Sequence, residues 1–421
     1  MSNNRNLISM EQTYERMNRL GVPLNIVTIC RIKGPLNADI LRKALDFSQH
    51  RHPRLNSRII GSLEHLRFET EGTQKIPLRV IEGVDDQHWH EVVISELNKK
   101  IEAHRVLMRT TLLYHSNNNS TRYLITTTHH AIADALSLVK LHQEILTFCQ
   151  KIFKGESIEV PCLAALPPVD EIIRESGKIS LQSQENRLEN LNFESLTFEK
   201  NVPMEMRRTG MLHRQLEKVF TRKFIKRCKQ EKTRIHGALC AVMLLTVVEK
   251  IRAEREIRVS CRASVDLRKR FKPMISSEHL APIVSVISTF HTITPHTSFW
   301  ELAREVTQQL EVVLERGDIF RAHSNFHKKT KTVTAEQSKA LATISLANVG
   351  MLDIPSVYEP FVLEEISLYL AVSAYGGLFC AVFSVFKGRM YFNFPFSEPS
   401  ISRNNMEIMV DNCLAYLIDN I

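Results

Sequence analysis

The chain has 421 residues and a mass of 48.4 kDa, more than one ordinary hydrophobic core needs, so two lobes are expected. Hydrophobic residues make up 43% and charged residues 24%, which is typical of a globular protein and excludes a disordered chain. The net charge of +9 favours acidic partners, but no zinc-finger spacing or RNA-binding signature accompanies it. Nucleic-acid binding is therefore not predicted.

The first part of the chain predicts alternating helices and strands. A helix begins at Ser9, residues 25–32 form a strand, and residues 40–50 form an amphipathic helix. Residues 123–128 are rich in β-branched side chains, which predicts a buried strand. The segment 135–151 then carries apolar residues at helical spacing.

The second part repeats this mixture after a change of character. Proline-rich and weakly periodic residues predict a crossover linker over 166–210, between an N-terminal lobe, 1–165, and a C-terminal lobe, 211–421. Strands are predicted at 211–216, 256–261, 283–290 and 342–346, and helices from 221 and over 235–253, 298–316 and 400–418. Together these elements predict an α/β fold.

A β-hairpin is predicted near the C-terminus, with strands 378–385 and 390–396 joined by Lys387-Gly388. Its second strand places four large apolar side chains on one face: Met390, Phe392, Phe394 and Phe396. They suit either core packing or the lining of an acyl tunnel.

The most informative stretch is His129-His130-Ala131-Ile132-Ala133-Asp134-Ala135, which joins the predicted strand 123–128 to the following helix. A strand end presents a side chain from a rigid element, and histidine titrates near neutral pH, so a general base is predicted here. A histidine pair can also simply hydrogen-bond backbone carbonyls, and that alternative stays open. A metal site is not predicted, because His130 and Asp134 have no third ligand at a convincing spacing.

This run resembles the HHxxxDG motif of the condensation-domain and chloramphenicol-acetyltransferase-like acyltransferase superfamily. That superfamily includes the condensation domains of nonribosomal peptide synthetases, the phthiocerol dimycocerosyl transferases and relatives of the plant BAHD acyltransferases. Ala135 stands where the family usually has glycine, so a narrowed pocket or a shifted backbone is expected there. The turn His52-Pro53-Arg54-Leu55 also resembles the family's "rHPxL".

The resemblance implies two chloramphenicol-acetyltransferase-like lobes that form a pseudo-dimer, with the active site at their interface. It implies that His130 is the base and that His129 supports it by shaping the turn. It also implies that Asp134 is structural and pairs with an arginine of the other lobe. Arg268 is the expected partner, because it ends a run similar to the family's "vDLR", and Arg262 is the alternative. Asp134 has a simpler role open to it, as N-cap of the following helix.

Two further features have alternatives. Leu346-Ala347-Asn348-Val349-Gly350 resembles the family's "SNxG", with alanine for serine, so Asn348 is a candidate for orienting the substrate or supporting the oxyanion. Turn formation by Asn and Gly is its other interpretation. The basic run from Arg222 to Lys229 fits a solvated helix face, or attraction of coenzyme A phosphates or of an acidic carrier protein.

The resemblance therefore implies an acyltransferase that moves an acyl group from a coenzyme A or carrier-protein thioester to an alcohol. The alternatives are amide-forming condensation of carrier-bound substrates and a non-catalytic carrier-docking module. No bound cofactor is expected; acyl-CoA or a phosphopantetheine thioester is the co-substrate, and an acyl carrier protein is a candidate partner. Eight scattered cysteines without CxxC, and no apolar signal region or stretch long enough to span a membrane, predict a cytoplasmic protein.

Overall fold

The structure, a computed structural model, describes residues 3–85, 88–116, 120–177, 192–251, 255–326 and 340–421. The chain forms two compact units, and each is assembled from separate segments. The first unit comprises Met1–Val169, Leu267–Ile283 and Met351–Ala371. The second comprises Asp170–Asp266, Val284–Gly350 and Val372–Ile421.

Helices and strands alternate irregularly, as the mixed periodicity predicts. Up to residue 175 the elements are β1 (Arg5–Asn6), α1 (Ser9–Arg19), β2 (Ile26–Lys33), α2 (Ala38–Arg51), β3 (Arg58–Ile60), β4 (Arg67–Glu69), β5 (Leu78–Val84), α3 (His88–Asn98), β6 (Met108–His115), β7 (Thr121–Thr128), α4 (Ala135–Lys154) and α5 (Val169–Glu175). After residue 175 they are β8 (Arg208–Leu216), α6 (Lys218–Gln230), α7 (Ile235–Lys250), β9 (Ile257–Asp266), β10 (Val284–Ile293), α8 (Phe299–Glu315), α9 (Asp318–Ser324), β11 (Ile344–Met351), β12 (Val357–Tyr358), β13 (Phe361–Leu370), β14 (Phe379–Phe386), β15 (Arg389–Glu398) and α10 (Arg403–Asp419).

The first unit contains a sheet with the strand order β12-β13-β2-β7-β6-β5. Strand β7 lies in its interior and pairs antiparallel with both β2 and β6. Seven of its eight residues are buried, because an interior strand is covered by neighbours along both edges. The segment that leads into the histidine pair is therefore held from both sides.

The second unit contains a sheet with the order β10-β9-β11-β14-β15-β8. Its apolar core joins residues of α7, α8 and α10 to side chains of β14 and β15. Mixed sheets and helices in two units are the α/β architecture that the sequence predicts.

The predicted hairpin is confirmed: β14 and β15 pair antiparallel across Lys387-Gly388. Both turn residues have positive φ, 51° and 77°, as a type I′ turn requires, and glycine adopts this conformation without strain. The four apolar side chains of β15 all lie in the core of the second unit, with Phe396 fully buried. Core packing, rather than tunnel lining, accounts for this stripe.

The compact units differ from the predicted lobes 1–165 and 211–421 at two segments. Residues 267–283 and 351–371 belong to the first unit, although both come late in the sequence. Strand β13 explains one of them, because it pairs antiparallel with β2 from Val362 to Leu370, with a register shift between Leu363 and Glu365. Strand pairing at such sequence separation leaves no trace in local periodicity.

The predicted linker 166–210 is only partly described. Residues 178–191 lie outside the described residues, as does the predicted end of the helix 235–253. The helix α5 lies within the predicted linker, and the Glu199 amide donates a hydrogen bond to the Ser400 carbonyl within the second unit. In the described ranges, no helix has the length and apolar character needed to cross a membrane.

Candidate active site

The site begins where β7 ends, at His129. The residue is 1% exposed, and its side chain lies beside Glu15 of helix α1, with Nε2 3.0 Å from a carboxylate oxygen. The Ala131 amide donates to His129 Nδ1 at 3.1 Å, so that nitrogen carries no proton and Nε2–H is the donor to Glu15. His129 thus fixes the turn that presents His130.

Glu15 is itself held by two further contacts on α1. Arg19 Nε lies 2.7 Å from one carboxylate oxygen, and the Asn18 side-chain amide donates to the other at 3.3 Å. Burial raises the pKa of Glu15, but its hydrogen bond and charge interactions with His129 and Arg19 outweigh burial and lower the pKa overall. A buried carboxylate therefore anchors the histidine turn.

His130 is partly exposed, and its tautomer is set by one hydrogen bond. Its Nδ1 lies 2.9 Å from the carbonyl oxygen of Ala133. A carbonyl only accepts, so Nδ1 carries the proton and Nε2 keeps a basic lone pair. Burial lowers the pKa of His130 to about 4, against weaker opposing hydrogen bonds, so the ring is neutral at physiological pH.

Tyr14 holds the plane of the His130 ring. The two ring centroids are 4.2 Å apart and the planes differ by 4°, a stacked arrangement. Tyr14 is 5% exposed and is carried by α1, next to the residue that binds His129. One helix therefore positions both histidines of the pair.

Asp134 both caps helix α4 and pairs with Arg268. Its Oδ1 accepts hydrogen bonds from the amide and hydroxyl of Ser137, each at 2.9 Å. Arg268 donates Nη1–H to Oδ2 at 2.8 Å and Nη2–H to Oδ1 at 2.9 Å, and the Ile283 amide also donates to Oδ2. Burial raises the pKa of Asp134, but Arg268 and then Ser137 outweigh burial and hold the pKa below its usual value, so the carboxylate stays ionised.

The two interpretations of Asp134 thus describe one carboxylate with two sets of donors. Arg268 reaches it from the segment Leu267–Ile283, which packs in the same unit as Asp134. Arg262, the alternative partner, lies on β9 in the second unit. Arg268 and Ser137 together bind both carboxylate oxygens of Asp134 and fix its orientation.

Ala135 occupies the first helical position of α4. It is not among the described residues with positive φ, so the backbone here does not need glycine. Alanine also has the highest helix propensity. The departure from the family's glycine therefore leaves the local fold intact.

The "rHPxL" turn is tied to helix α4. His52 Nε2 lies 2.8 Å from one oxygen of Glu144, and Arg51 Nε lies 2.7 Å from the other. Arg51 also reaches Glu278 at 3.3 Å, in the segment that carries Arg268. These contacts brace α4 against its neighbours within the first unit.

Two sequence candidates lie in the second unit. Asn348 is on β11, and its side-chain oxygen accepts a hydrogen bond from the Gly350 amide at 2.9 Å. Gly350 has a φ of 79°, and the hydrogen bond between these two residues is a local one of the kind that Asn and Gly form together. The role of Asn348 toward substrate stays a prediction.

The basic run lies on α6, an amphipathic helix. Phe224 and Cys228 are buried, whereas Lys223 and Lys226 are exposed. Arg227 is partly engaged, with an ion pair to Glu231 at 2.7 Å and its guanidinium 5.5 Å from the ring centre of Trp300. Lys223 and Lys226 are therefore available to act on solvent or on a charged ligand.

Sequence reasoning missed Tyr14 and Glu15, which complete the site. In the sequence, Glu15 cannot be told from a glutamate on the solvent-exposed face of a helix. Its role becomes visible only in the structure, where α1 lies beside the end of β7.

Comparisons with known proteins agree with this fold. Residues 206–391 match the sequence profile described as the C-terminus of phthiocerol/phthiodiolone dimycocerosyl transferase. No curated protein sequence is significantly similar to the chain.

Solved structures match over nearly the whole chain. Polyketide synthase associated protein 5 of Mycobacterium tuberculosis has a TM-score of 0.73 at 14% identity, covering 98% of this chain and 96% of that one. The trichothecene 15-O-acetyltransferase of Fusarium sporotrichioides has a TM-score of 0.75 at 11% identity, covering 99% and 95%. The first condensation domain of the CDA synthetase has a TM-score of 0.73 at 13% identity, covering 99% and 96%.

The predicted resemblance to the condensation-domain and chloramphenicol-acetyltransferase-like acyltransferase superfamily is confirmed by these matches. At such low identities the solved structures establish a shared fold, and the chemistry has to be argued from the residues.

Proposed function

We propose that this chain is an acyltransferase that moves an acyl group from a thioester to an alcohol, with His130 as the general base. The observation that carries the proposal is the tautomer of His130. Its Nδ1–H is bound to the Ala133 carbonyl at 2.9 Å, which leaves Nε2 as a neutral, basic nitrogen on a partly exposed ring.

The reaction needs few protein groups. As the acceptor hydroxyl attacks the thioester carbonyl, Nε2 takes its proton and a tetrahedral oxyanion forms. Collapse of that intermediate breaks the carbon–sulfur bond, and the departing thiolate regains a proton from the His130 imidazolium. A positioned base of this kind contributes typically ~10² to 10⁴-fold. No covalent enzyme intermediate is required, because the thioester is already activated.

The positioning contacts support this role. Tyr14 stacks on the ring, the Ala133 carbonyl holds Nδ1, and Glu15 holds the neighbouring His129. Asp134 is fully committed to its cap and to Arg268, which supports a structural role for it and leaves the proton transfer to His130.

The donor is proposed to be acyl-CoA or an acyl group on a phosphopantetheine arm, with an acyl carrier protein as a candidate partner. The net charge of +9 and the exposed lysines of α6 support binding of a phosphate-bearing donor. Ester formation is favoured because the matching sequence profile and the similar Fusarium enzyme are both named for acyl transfer, the latter to oxygen. The eight free cysteines support a cytoplasmic location.

Amide-forming condensation is the second candidate, and the likeness to a condensation domain of the CDA synthetase favours it. The two reactions share the base and the thioester, and they differ in the acceptor. An amine acceptor must be neutral to attack, so its rate falls as pH drops below the amine pKa, whereas an alcohol imposes no such limit.

The test is a matrix of acyl-CoA and acyl-carrier-protein thioesters against alcohols and amines, read by intact mass of the products. Ester formation that depends on His130 supports the proposal. Amide products alone establish the second candidate. Free acid without ester identifies a hydrolase, and no turnover with any pair overturns the acyltransferase assignment in favour of a docking module.

A further inference from the structure

Three side chains with soft metal-binding atoms meet inside the second unit. They are His236 and Cys240 on α7 and Cys261 on β9. The Cys240 and Cys261 sulfurs are 3.2 Å apart, and His236 Nε2 lies 3.4 Å from Cys240 Sγ. All three ligand atoms lie within 4.8 Å of one another.

The elements that carry these residues are rigid. His236 and Cys240 are four apart on one helix, so they share a face. Cys261 lies on the strand between β10 and β11, opposite Thr289 and Ile344. Cys240 and Cys261 are almost fully buried in the apolar core, and His236 is partly exposed at the start of α7.

We propose that His236, Cys240 and Cys261 bind a thiophilic metal ion, Zn²⁺ first of all. Zinc binds cysteine sulfur at about 2.3 Å and histidine nitrogen at about 2.0–2.1 Å, which in a tetrahedral site places donors roughly 3.5–3.8 Å apart. The observed S···S separation of 3.2 Å would have to widen by about half an ångström, and the S···N separation of 3.4 Å by roughly 0.1–0.2 Å. The cluster thus has the donor set of a zinc site, with all three ligand atoms close enough for small side-chain movements to close around the ion.

Charge balance favours a divalent ion here. Binding releases one proton from each thiol to solvent, and the two thiolates then cancel the charge of Zn²⁺, so the buried assembly is neutral.

Ligand chemistry separates this site from other cations. Magnesium and calcium prefer oxygen donors, and this cluster offers two sulfurs and one nitrogen. Three protein ligands leave one position in a tetrahedral shell, at the partly exposed His236 end. The site lies on different residues from the HHxxxD turn, so it stands apart from the acyltransferase proposal and departs from the expectation of a metal-free protein.

The test uses the full chain, purified without chelator and dialysed against Zn²⁺, with metal content measured by mass spectrometry. We expect about one zinc per chain, a rise in Tm on zinc addition, and a thiolate-to-metal charge-transfer band when Co²⁺ replaces zinc. Cys240→Ser, Cys261→Ala and His236→Gln should each lose the band and the bound metal.

Two matched controls are the buried cysteines Cys228→Ser and Cys413→Ser of the same unit, which should bind zinc normally. His236→Gln keeps the proposal testable if a core cysteine variant fails to fold, because His236 is partly exposed. Zinc content far below one per chain, or equal binding by the His236→Gln variant, overturns the site. A third outcome also overturns it: peroxide joins Cys240 and Cys261 in a disulfide, seen as a loss of two hydrogens in mass, and the reduced chain binds no metal.

Discussion

Glu15 accepts a hydrogen bond from the His129 imidazole at 3.0 Å, and both side chains are only 2% exposed. This contact joins helix α1 to the turn that carries the proposed base. It places an ionised group behind the first histidine while the second keeps its basic nitrogen. The arrangement leads to distinct expectations for each residue.

His130→Ala should lower transfer by about 10²–10⁴-fold with little change in Tm, because the base is lost and the ring is only partly buried. His129→Ala should have the milder effect on turnover but should destabilise the fold by about 1–3 kcal/mol, since it removes one of the hydrogen-bond donors to the buried Glu15. Turnover with a verified substrate and thermal unfolding check both. Near-wild-type turnover by His130→Ala would show that another group acts as base.

Glu15→Gln should reduce kcat about tenfold with KM unchanged, because the amide keeps the shape but removes the charge that orients the His129 turn. Glu11→Gln is the matched control: Glu11 is a buried glutamate of the same helix that pairs with Arg5 at 2.6 Å. The control should lower Tm without a selective loss of kcat. If both variants lose Tm and keep kcat, Glu15 has only a structural role.

Asp134→Ala should lower the free energy of unfolding by about 3–5 kcal/mol, because it removes the carboxylate that balances the buried charge of Arg268. Asp134→Asn separates the two roles, since asparagine still caps α4 through Ser137 but carries no charge for Arg268. A double-mutant cycle with Arg268→Ala should give a coupling beyond ~0.5 kcal/mol, measured by denaturant unfolding. The same cycle with Arg262→Ala should be additive; coupling there instead would make Arg262 the partner.

The pH dependence of kcat/KM should show an acid limb near pH 4 rather than near 6.5. His130 has its pKa lowered to about 4, mainly by burial, so Nε2 stays unprotonated down to that pH. The same shift means that the unfolded chain binds more protons between pH 4 and 6.5, so stability falls as pH drops through that window. Circular dichroism must show a folded protein at each pH. A limb at pH 6–7 in folded enzyme would contradict the shifted base.

Donor binding should weaken as salt rises, because screening shortens the reach of exposed charges. Lys223→Glu with Lys226→Glu should weaken binding of coenzyme A or of holo-carrier protein, measured by calorimetry. Charge reversal at Arg227 is less clean, since it also breaks the pair with Glu231. The control reversal is at Lys33 and Lys43, exposed lysines outside the α6 cluster. If both pairs of reversals change donor affinity equally, or neither changes it, the basic residues of α6 form only a solvated helix face.

Much of the fold was predictable from local pattern. The strand now described as β7, the helix α4 and the hairpin of β14 and β15 follow from periodicity and turn residues. The strand β13 was missed, because its role depends on pairing with β2 from the far end of the chain. Whether such a segment forms a strand depends on its long-range pairing, and the local periodicity of the sequence does not encode that pairing.

The site divides in the same way. His130 and Asp134 stand in a motif that sequence alone singles out, and Arg268 ends another. Tyr14 and Glu15 belong to no motif, because their importance arises only from what α1 packs against. Burial turns Glu15 from an ordinary helix glutamate into an anchor.

The pairing of β2 with β13 also bears on the order in which the protein is made. Strand β2 leaves the ribosome more than 300 residues before Phe361–Leu370, the strand that covers its open edge. Until then β2 exposes an unpaired edge, a condition that favours association with other chains. Helper proteins that shield nascent strands are therefore expected to raise its yield, more than they would for a fold whose neighbouring strands are made in succession.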